Sequence, residues 1–169
     1  MAVALTSTVN LVFGSQVLDP ETGIILNDQM DDFSVPGFPN AYGLLPSPCK
    51  CSDLCTCREL DFPGLDNYPE PWKRPLSSTA PTIIEHIDGS FYLAIGGSGG
   101  SRIFGTIFQV LLNLDWGLDV SVAIESGRLH DQLYPSILDA ENIYESDILH
   151  DLRRRGHNVT GCTCSYPFI

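Results

Sequence analysis

Basic residues are scarce in this sequence. Its 169 residues include 9 lysines and arginines against 21 aspartates and glutamates, which gives a formal net charge of −12. Nucleic acids and anionic membrane surfaces are bound by basic faces, so this balance argues against both classes of partner. Long apolar runs are lacking too, and none reaches the roughly 18–20 residues that a membrane-spanning helix needs. Hydrophobic residues nevertheless make up 43% of the chain, which is typical of a folded domain with a core.

The common phosphate-binding motifs are also absent, although the chain has a glycine-rich turn. Gly96–Arg102 has four glycines in five positions and lies between the apolar run Phe91–Ile95 and a stretch of helical periodicity. The pattern predicts a strand, a turn and a helix, with N–H groups and the positive end of the helix dipole directed at one spot. That spot suits a phosphate, a carboxylate or the oxyanion of an acyl-transfer intermediate. The apolar positions of the predicted helix are Ile103, Ile107, Val110, Leu111 and Leu114.

The glycine turn alone does not decide between these ligands. It fits neither the G-x-x-x-x-G-K-[ST] motif nor the G-x-G-x-x-G motif. A tight turn without a ligand, an anion site and a nucleotide site therefore all remain open.

Polar side chains are concentrated in two further stretches. Asn27–Ser34, rich in aspartate and amide residues, follows the short apolar run Ile24–Leu26, and this composition suits an ammonium group or another cation. A solvated acidic loop is the alternative, and the register of a calcium loop is absent. In Lys73–Pro81 the pair Ser77 and Ser78 follows two basic residues and lies between prolines. Hydroxyl groups beside cations suit a carboxylate, and a plain turn is the alternative.

Local signals predict the other elements of the first hundred residues. Ala2–Asn10 alternates as a strand does, with Thr6 and Thr8 on the same face as two alanines. A turn is expected at Asp19–Gly23. Thr82–Ile87, Asp88-Gly89 and the run from Phe91 together predict a β-hairpin that leads into the glycine turn.

The last third of the chain is predicted to alternate helices and strands. Asp119 can cap a short helix, and Ser136–Asn142 suits a strand. A second helix is expected to have Ser146 or Asp147 as its cap and to end at Arg153–Arg155, before Gly156. A further strand is expected from His157. His130 is interpreted as a structural histidine rather than a catalytic base.

Cysteines are concentrated in one segment, Cys49–Cys57, which has four of the six. Its C-x-C-x3-C-x-C spacing differs from the paired C-x2-C of common zinc sites. Cys162 and Cys164 form one more C-x-C pair near the end of the chain. A zinc site, disulfides in an oxidising compartment and an insertion foreign to the fold remain open.

Several stretches taken together resemble one family. Their order along the chain and their sequences are similar to the small-subunit region of the γ-glutamyltransferases (γ-glutamyltranspeptidases, glutathione hydrolases), most of all the fungal members. The resemblance covers about residues 2–48 and 68–160. The matching stretches are Thr6–Asn10, Phe13–Ser15, Gly23–Ser34, Lys73–Ser78, Pro81–Ile83, Gly96–Arg102 and Arg128–His130.

The resemblance implies an α+β fold, the αββα sandwich of the N-terminal-nucleophile hydrolases, of which this chain is expected to form the small-subunit part. It implies a precursor that cuts itself and frees a threonine. That threonine, with its own α-amine as base, attacks a γ-glutamyl amide. The γ-glutamyl group then passes to water or to an amino-acid acceptor, and glutathione is the usual substrate. No cofactor and no metal are implied.

The resemblance also assigns roles to individual residues. Thr8 corresponds to the threonine that hydrogen-bonds the nucleophile, and Gly99 and Gly100 to the N–H donors of the oxyanion hole. The other positions concern the substrate's head group. Asn10, Gln29 and Asp32 correspond to the residues that hold its α-ammonium, and Ser77 and Ser78 to the serines that contact the head, including its α-carboxylate.

The sequence departs from the family pattern at several points. The nucleophilic threonine is expected on a strand upstream of Ala2, and neither Thr6 nor Thr8 has a free α-amine. We therefore expect no turnover of a γ-glutamyl anilide by this polypeptide alone. Residues 49–67 are predicted to be a cysteine-rich insertion and residues 161–169 a divergent tail of a single domain spanning residues 1–169. Gly127 stands where a proline is usual.

The resemblance also implies partners for the chain, and two alternative functions remain open. The expected partners are glutathione or other γ-glutamyl compounds and the large subunit of the same precursor. Family members use the secretory route to reach the cell surface, the vacuole or the exterior. No signal for that route is expected in the residues of this chain, and its location is left open. A non-catalytic γ-glutamyl-binding module and a small cysteine-rich metal protein are the alternative functions.

Overall fold

A computed structural model describes residues 1–35, 38, 40, 67–133 and 135–162. The predicted cysteine-rich segment Cys49–Cys57 lies outside the described residues, as do residues 163–169 of the predicted tail. The chain divides into two compact units. Unit 1 consists of Met1–Ser7 and Ser78–Ile169, and unit 2 consists of Thr8–Ser77.

Unit 1 begins its regular structure with the predicted hairpin. Strand β1 (Thr82–Glu85) pairs antiparallel with β2 (Phe91–Ile95), with Thr82 opposite Ile95. Gly89, in the connecting turn, has a φ of +80°, a conformation that glycine adopts without strain. The hairpin prediction is confirmed.

Helix α1 (Ile103–Asp115) follows the glycine turn and supplies much of the core of unit 1. Ile103, Ile107 and Val110 are buried along one face, as the helical spacing predicts. Ala123, on helix α2 (Val120–Glu125), is fully buried. The side chain of Asp119 accepts a hydrogen bond from the N–H of Ser121 (2.9 Å), which confirms the predicted cap.

A three-stranded sheet completes unit 1. Strand β4 (Leu138–Glu141) lies between β3 (Leu129–His130), which is antiparallel to it, and β5 (Val159–Cys162), which is parallel to it. Parallel neighbours need a crossover, and helix α3 (Ser146–Arg154) provides it. Among the described helices, none combines the length and the apolar composition that a membrane crossing requires.

The start of α3 differs from the prediction. Glu145 occupies the N-cap position and makes no capping hydrogen bond through its side chain, so Ser146 is already the first helical residue. The predicted end is confirmed, because Gly156 has a φ of +98° and its N–H donates to the carbonyl of Arg153 (3.0 Å).

The prediction of a strand at Ala2–Asn10 is wrong for the described structure. No described strand pairs with this segment, and a strand forms only when its N–H and C=O groups meet a partner. The alternation of the sequence is nevertheless retained. Ala2, Ala4 and Thr6 are half-buried, whereas Val3 and Leu5 are 77% and 84% exposed.

The described part of unit 2 is built from turns. The N–H of Gly23 donates to the carbonyl of Asp19 (2.9 Å), as expected for the predicted turn, and an isolated bridge joins Leu18 to Ile25. Gln29–Asp32 forms a 3-10 turn at the start of the acidic and amide-rich segment.

Gly127 is the site of the first stability prediction. A Cβ atom at Gly127 would lie 2.9 Å from both the N and the Cα of Tyr144, which are backbone atoms that cannot rotate away. We therefore expect Gly127→Ala to lower the free energy of unfolding by about 1–3 kcal/mol. Thermal unfolding followed by circular dichroism measures the change.

Gly105 provides the matched control for Gly127. It lies within α1, and a Cβ added there meets nothing within 4 Å. Gly105→Ala should therefore raise the free energy of unfolding by about 0.5–1 kcal/mol. A Gly127→Ala variant as stable as the unchanged chain would show that the turn at Tyr144 can move aside at little cost.

Candidate functional site

Two loops of unit 2 are tied together by Asp28. Its N–H donates to the carbonyl of Val9 (3.3 Å), and its Oδ1 accepts from the N–H of Leu11 (3.0 Å). The amide Nδ2 of Asn10 donates to the Asp28 carbonyl (3.4 Å). The loop that contains Thr8 and Asn10 is thereby fixed against the loop that contains Gln29 and Asp32. Asp28 was not among the predicted site residues.

Thr8 and Asn10 are linked directly. The N–H of Asn10 donates to Oγ1 of Thr8 (2.8 Å). Asn10 has a φ of +77°, in the left-handed region that asparagine tolerates better than most side chains. A hydroxyl has one proton to donate besides its acceptor lone pairs, so Thr8 can accept from Asn10 and still donate to another group.

The 3-10 turn Gln29–Asp32 places Asp32 in the interior of unit 2. The N–H of Asp31 donates to the carbonyl of Asp28 (2.9 Å), and the N–H of Phe33 donates to the carbonyl of Met30 (3.2 Å). Asp32 is only 7% exposed, and the two residues after it are buried as well. Its Oδ1 finds no hydrogen-bond donor within the described ranges of the chain.

Burial makes Asp32 unusual among the carboxylates of this loop. Burial raises the pKa of Asp32, the hydrogen bond from the Asn10 side chain lowers it, and the negative charges of Asp28 and Asp31 raise it further, with a net rise. A buried carboxylate with an unmatched oxygen is costly unless a cation or a donor reaches it. A positively charged group that reached this oxygen would offset that cost.

Ser77 and Ser78 lie on either side of the division between the units. Ser77 is exposed and Ser78 is half-buried. Just before them, the N–H of Leu76 donates to Oδ1 of Asn67 (2.9 Å). This hydrogen bond fixes the backbone next to Ser77 to another part of unit 2. Lys73, earlier in the segment, forms an ion pair with Glu70 (3.7 Å).

The glycine turn of unit 1 has the backbone that its sequence predicts. Gly99 has a φ of +118° and Gly100 a φ of +62°, so both positions disfavour side chains. The N–H of Arg102 donates to the carbonyl of Gly99 (3.2 Å), which closes a 3-10 turn, Gly100–Arg102, that continues into α1. Gly99 has no side chain to cap the first N–H groups of this turn, so they remain suited to an incoming anion.

Arg102 anchors the glycine turn to the three-stranded sheet. Its guanidinium lies 2.9 Å from Oδ2 of Asp139 on β4, and Oγ1 of Thr160 on β5 donates to the other oxygen of Asp139 (2.7 Å). Burial acts to raise the pKa of Asp139, but the hydrogen bonds from Thr160 and Arg102 and the positive charge of Arg102 lower it on balance. No local sequence signal indicated this anchor.

The predicted site residues divide between the units. Unit 2 brings Thr8, Asn10, Gln29 and Asp32 into two joined loops and also contains Ser77. Ser78, Gly99 and Gly100 belong to unit 1. Asn67 was not among the predicted site residues, because it falls at the end of the predicted cysteine-rich insertion, residues 49–67.

Two other predictions concern histidine and metal. His130 lies on β3, and its Nε2 is 3.0 Å from Oε1 of Gln132, an arrangement in keeping with a structural role. Within the described part of the chain, no three histidine, cysteine, aspartate or glutamate side chains are grouped closely enough to hold a metal ion.

Comparison with known proteins identifies relatives over nearly the whole chain. Glutathione hydrolase proenzyme 2 of Schizosaccharomyces pombe is 43% identical over 160 residues, which cover 94% of this chain and 23% of that protein. The glutathione hydrolase proenzyme of Arthroderma benhamiae is 45% identical over 161 residues, which cover 95% of this chain and 25% of that protein. The chain thus spans about a quarter of the length of these curated relatives.

Solved structures that are similar to this chain are gamma-glutamyltranspeptidases. An acivicin-inhibited gamma-glutamyltranspeptidase has a TM-score of 0.78 and 34% identity, and the match covers 94% of this chain and 77% of that one. The Pseudomonas nitroreducens enzyme complexed with L-DON has a TM-score of 0.77 and 36% identity, with coverage of 95% and 76%. These relatives are N-terminal-nucleophile hydrolases, so the predicted fold class is confirmed. The sequence model of the gamma-glutamyltranspeptidases matches residues 1–166, and the chain belongs to that family.

Proposed function

We propose that this chain binds the γ-glutamyl head of glutathione or a related compound and takes part in cleaving the γ-glutamyl amide. The γ-glutamyl group would pass to water or to an amino-acid acceptor. One observation carries the proposal: a buried carboxylate, Asp32, has an oxygen without a donor in the described structure. The α-ammonium of a glutamyl head supplies both the positive charge and the hydrogen-bond donors that this oxygen lacks.

Each remaining role matches the chemistry of its residue. The Asn10 amide hydrogen-bonds Asp32, and Gln29, which lies in the same 3-10 turn as Asp32, supplies a second amide. The hydroxyls of Ser77 and Ser78 suit the α-carboxylate of the head. The N–H groups of Gly99 and Gly100 suit the oxyanion that forms when the amide carbonyl is attacked. Removing one such donor typically costs about 3–4 kcal/mol of transition-state stabilisation.

The nucleophile and the partner belong to the same proposal. In the family pattern, the hydroxyl of an N-terminal threonine attacks the amide carbon while its own α-amine accepts the proton. The C–N bond then breaks and the proton goes to the leaving amine. Thr8 would orient that hydroxyl with the proton that its bond from Asn10 leaves available. A large subunit from the same precursor is the proposed partner, because the relatives named as proenzymes are about 4 times longer.

Titration of the chain with glutathione, followed by calorimetry across a range of pH, tests the proposal. We expect saturable heat near neutral pH and weaker binding as the pH falls through the raised pKa of Asp32, by up to about tenfold per pH unit. The reason is that the protonated carboxyl group no longer attracts the ammonium. An affinity that does not change down to about pH 4 would exclude Asp32 as the ammonium partner.

The stability of the ligand-free chain should depend on pH in the opposite direction. Because the folded-state pKa of Asp32 is raised, its contribution to stability is complete below the unfolded-state pKa and is lost as the pH rises through the folded-state value. Thermal unfolding without glutathione serves as the control, since it separates the effect of pH on binding from its effect on folding.

A further inference from the structure

Asn67 is a buried polar residue for which the proposed function has no role. It is 8% exposed, and its side chain makes hydrogen bonds at both ends. Oδ1 accepts from the N–H of Leu76 (2.9 Å), and Nδ2 donates to the carbonyl of Asp32 (2.5 Å). Nδ2 also lies 3.4 Å from Oγ of Ser34, and the Asn67 carbonyl accepts from the N–H of Ser34 (2.6 Å).

The chemistry of the two ends explains why this position needs an amide. One end faces a backbone N–H, and the other faces a backbone C=O. A carboxamide matches both in one orientation only, with its oxygen towards Leu76 and its nitrogen towards Asp32. An aspartate at this position could not donate to the Asp32 carbonyl, and a serine would be too short to reach both groups.

The Asn67 side chain bridges two segments of unit 2. One segment is proposed to contact the ammonium of the ligand, and the other is proposed to contact its carboxylate. Asp32 is 35 residues before Asn67 in the sequence, and Leu76 is nine residues after it. Ser77 follows Leu76 directly. The Asn67 side chain therefore connects the backbone of the proposed ammonium partner to the residue beside the proposed carboxylate partner, and all of these residues lie within unit 2.

We propose that Asn67 is a positioning residue that sets the separation between Asp32 and Ser77 and thereby selects ligands with an α-amino-acid head. The inference rests on the proposed function and extends it to specificity. The ammonium and the carboxylate of an amino acid are attached to the same carbon atom. A site that contacts both groups therefore tolerates little error in the distance between its own contacting residues. Groups that recognise a ligand need placement within about 0.5 Å, which a buried and doubly hydrogen-bonded amide can maintain.

Three anilides test the proposal. γ-Glutamyl-4-nitroanilide has both charged groups, glutaryl-4-nitroanilide lacks the ammonium, and 4-aminobutyryl-4-nitroanilide lacks the carboxylate. Their affinities are measured by calorimetry on the whole chain and on Asn67→Ser, at a temperature where circular dichroism shows both to be folded. We expect the unchanged chain to prefer the complete head by about tenfold or more over each truncated one. In Asn67→Ser both preferences should fall together, to about threefold or less.

Ser34→Ala is the matched control. Ser34 is also buried, at 6% exposure, and among the described residues its hydroxyl makes a single long contact, 3.4 Å to Nδ2 of Asn67. Its loss leaves both short bonds of the Asn67 side chain in place, so this variant should retain the preference for the complete head even if its unfolding temperature falls.

The outcomes separate the two claims. If the unchanged chain shows no preference for the complete head, the proposed function fails, and the role of Asn67 fails with it. If the preference exists and Asn67→Ser retains it while losing only stability, Asn67 is structural and the inference is overturned. Loss of only one of the two preferences would also overturn it, because a bridge must affect both ends.

Discussion

Asp32→Asn is expected to weaken glutathione binding by roughly 30- to 1,000-fold, or about 2–4 kcal/mol. The substitution keeps the shape of the side chain but removes the charge that faces the ammonium. It also brings an NH₂ group, itself a donor, to a place where a donor is already supplied by the ligand. Calorimetric titration of the variant measures the loss.

The same substitution should increase the stability of the ligand-free chain. When the Asp32 carboxyl group is ionised, the folded protein holds that charge where the residue is 7% exposed and one oxygen has no donor in the described structure. A neutral amide avoids that desolvation cost, so the midpoint of thermal unfolding should rise. Weaker binding together with higher stability is the result that distinguishes a ligand-binding carboxylate from a structural one.

Asp31 provides the matched control for Asp32. It lies in the same 3-10 turn, has the same side chain and is exposed. Asp31→Asn should change the affinity for glutathione by less than about threefold and the stability by no more than about 0.5 kcal/mol. An equal loss of binding in both variants would mean that the net negative charge of the loop, rather than the Asp32 carboxylate, attracts the ligand.

Glu141→Ala is expected to lower the free energy of unfolding by about 1–3 kcal/mol. Oε2 of Glu141 accepts from the N–H of Arg128 (3.0 Å) and lies 3.6 Å from its Nε. Arg128 is 6% exposed, and its Nη2 also donates to the carbonyl of Ile124 at the end of α2 (2.8 Å). Removal of the carboxylate would take an acceptor from the buried backbone N–H of Arg128 and a negative charge from beside its guanidinium. This loss should cost more than the loss of a surface ion pair. Chemical denaturation followed by circular dichroism gives the change.

Two further variants make the Glu141 result specific. Glu141→Gln keeps an acceptor for the Arg128 N–H but loses the charge, so its cost should be smaller than that of the alanine variant. Glu125 is exposed at the end of α2, and Glu125→Ala should alter the free energy of unfolding by no more than about 0.5 kcal/mol. If Glu141→Ala also falls within that range, solvent or another carboxylate must reach Arg128 in the variant.

Local signals in the sequence were sufficient for the elements whose stability is local. The Asp88-Gly89 turn, the apolar spacing of α1 and the Asp119 cap each depend on residues within a few positions, and all three predictions are confirmed. The prediction of a strand at Ala2–Asn10 was wrong because a strand does not depend on local residues alone. Alternation shows that a segment can present two faces, but pairing depends on a second segment that the alternation does not specify.

The candidate site likewise combines features that depend on local sequence with features that depend on distant residues. The resemblance to a family was enough to select Asp32, because its motif is contiguous. The burial of Asp32, its unmatched oxygen and the bridge through Asn67 depend on contacts between residues 35 positions apart, and no short pattern encodes these. Arg102 and Asp139, which are 37 positions apart, are a further example. Residues that are proposed to contact the ligand could thus be selected from the sequence, whereas the residues that hold them in place could not.

The pairing of Arg102 with Asp139 has a consequence for the motions of unit 1. Most glycine-rich loops can open alone, since few contacts oppose their fluctuations. Here the end of the loop is bound to the central strand of a sheet, and Thr160 binds the same carboxylate from the neighbouring strand. Large excursions of the loop therefore require the ion pair to break or the sheet to open with it. We therefore expect the end of the loop and the sheet to open together, which would lower the conformational entropy of the loop before any ligand arrives.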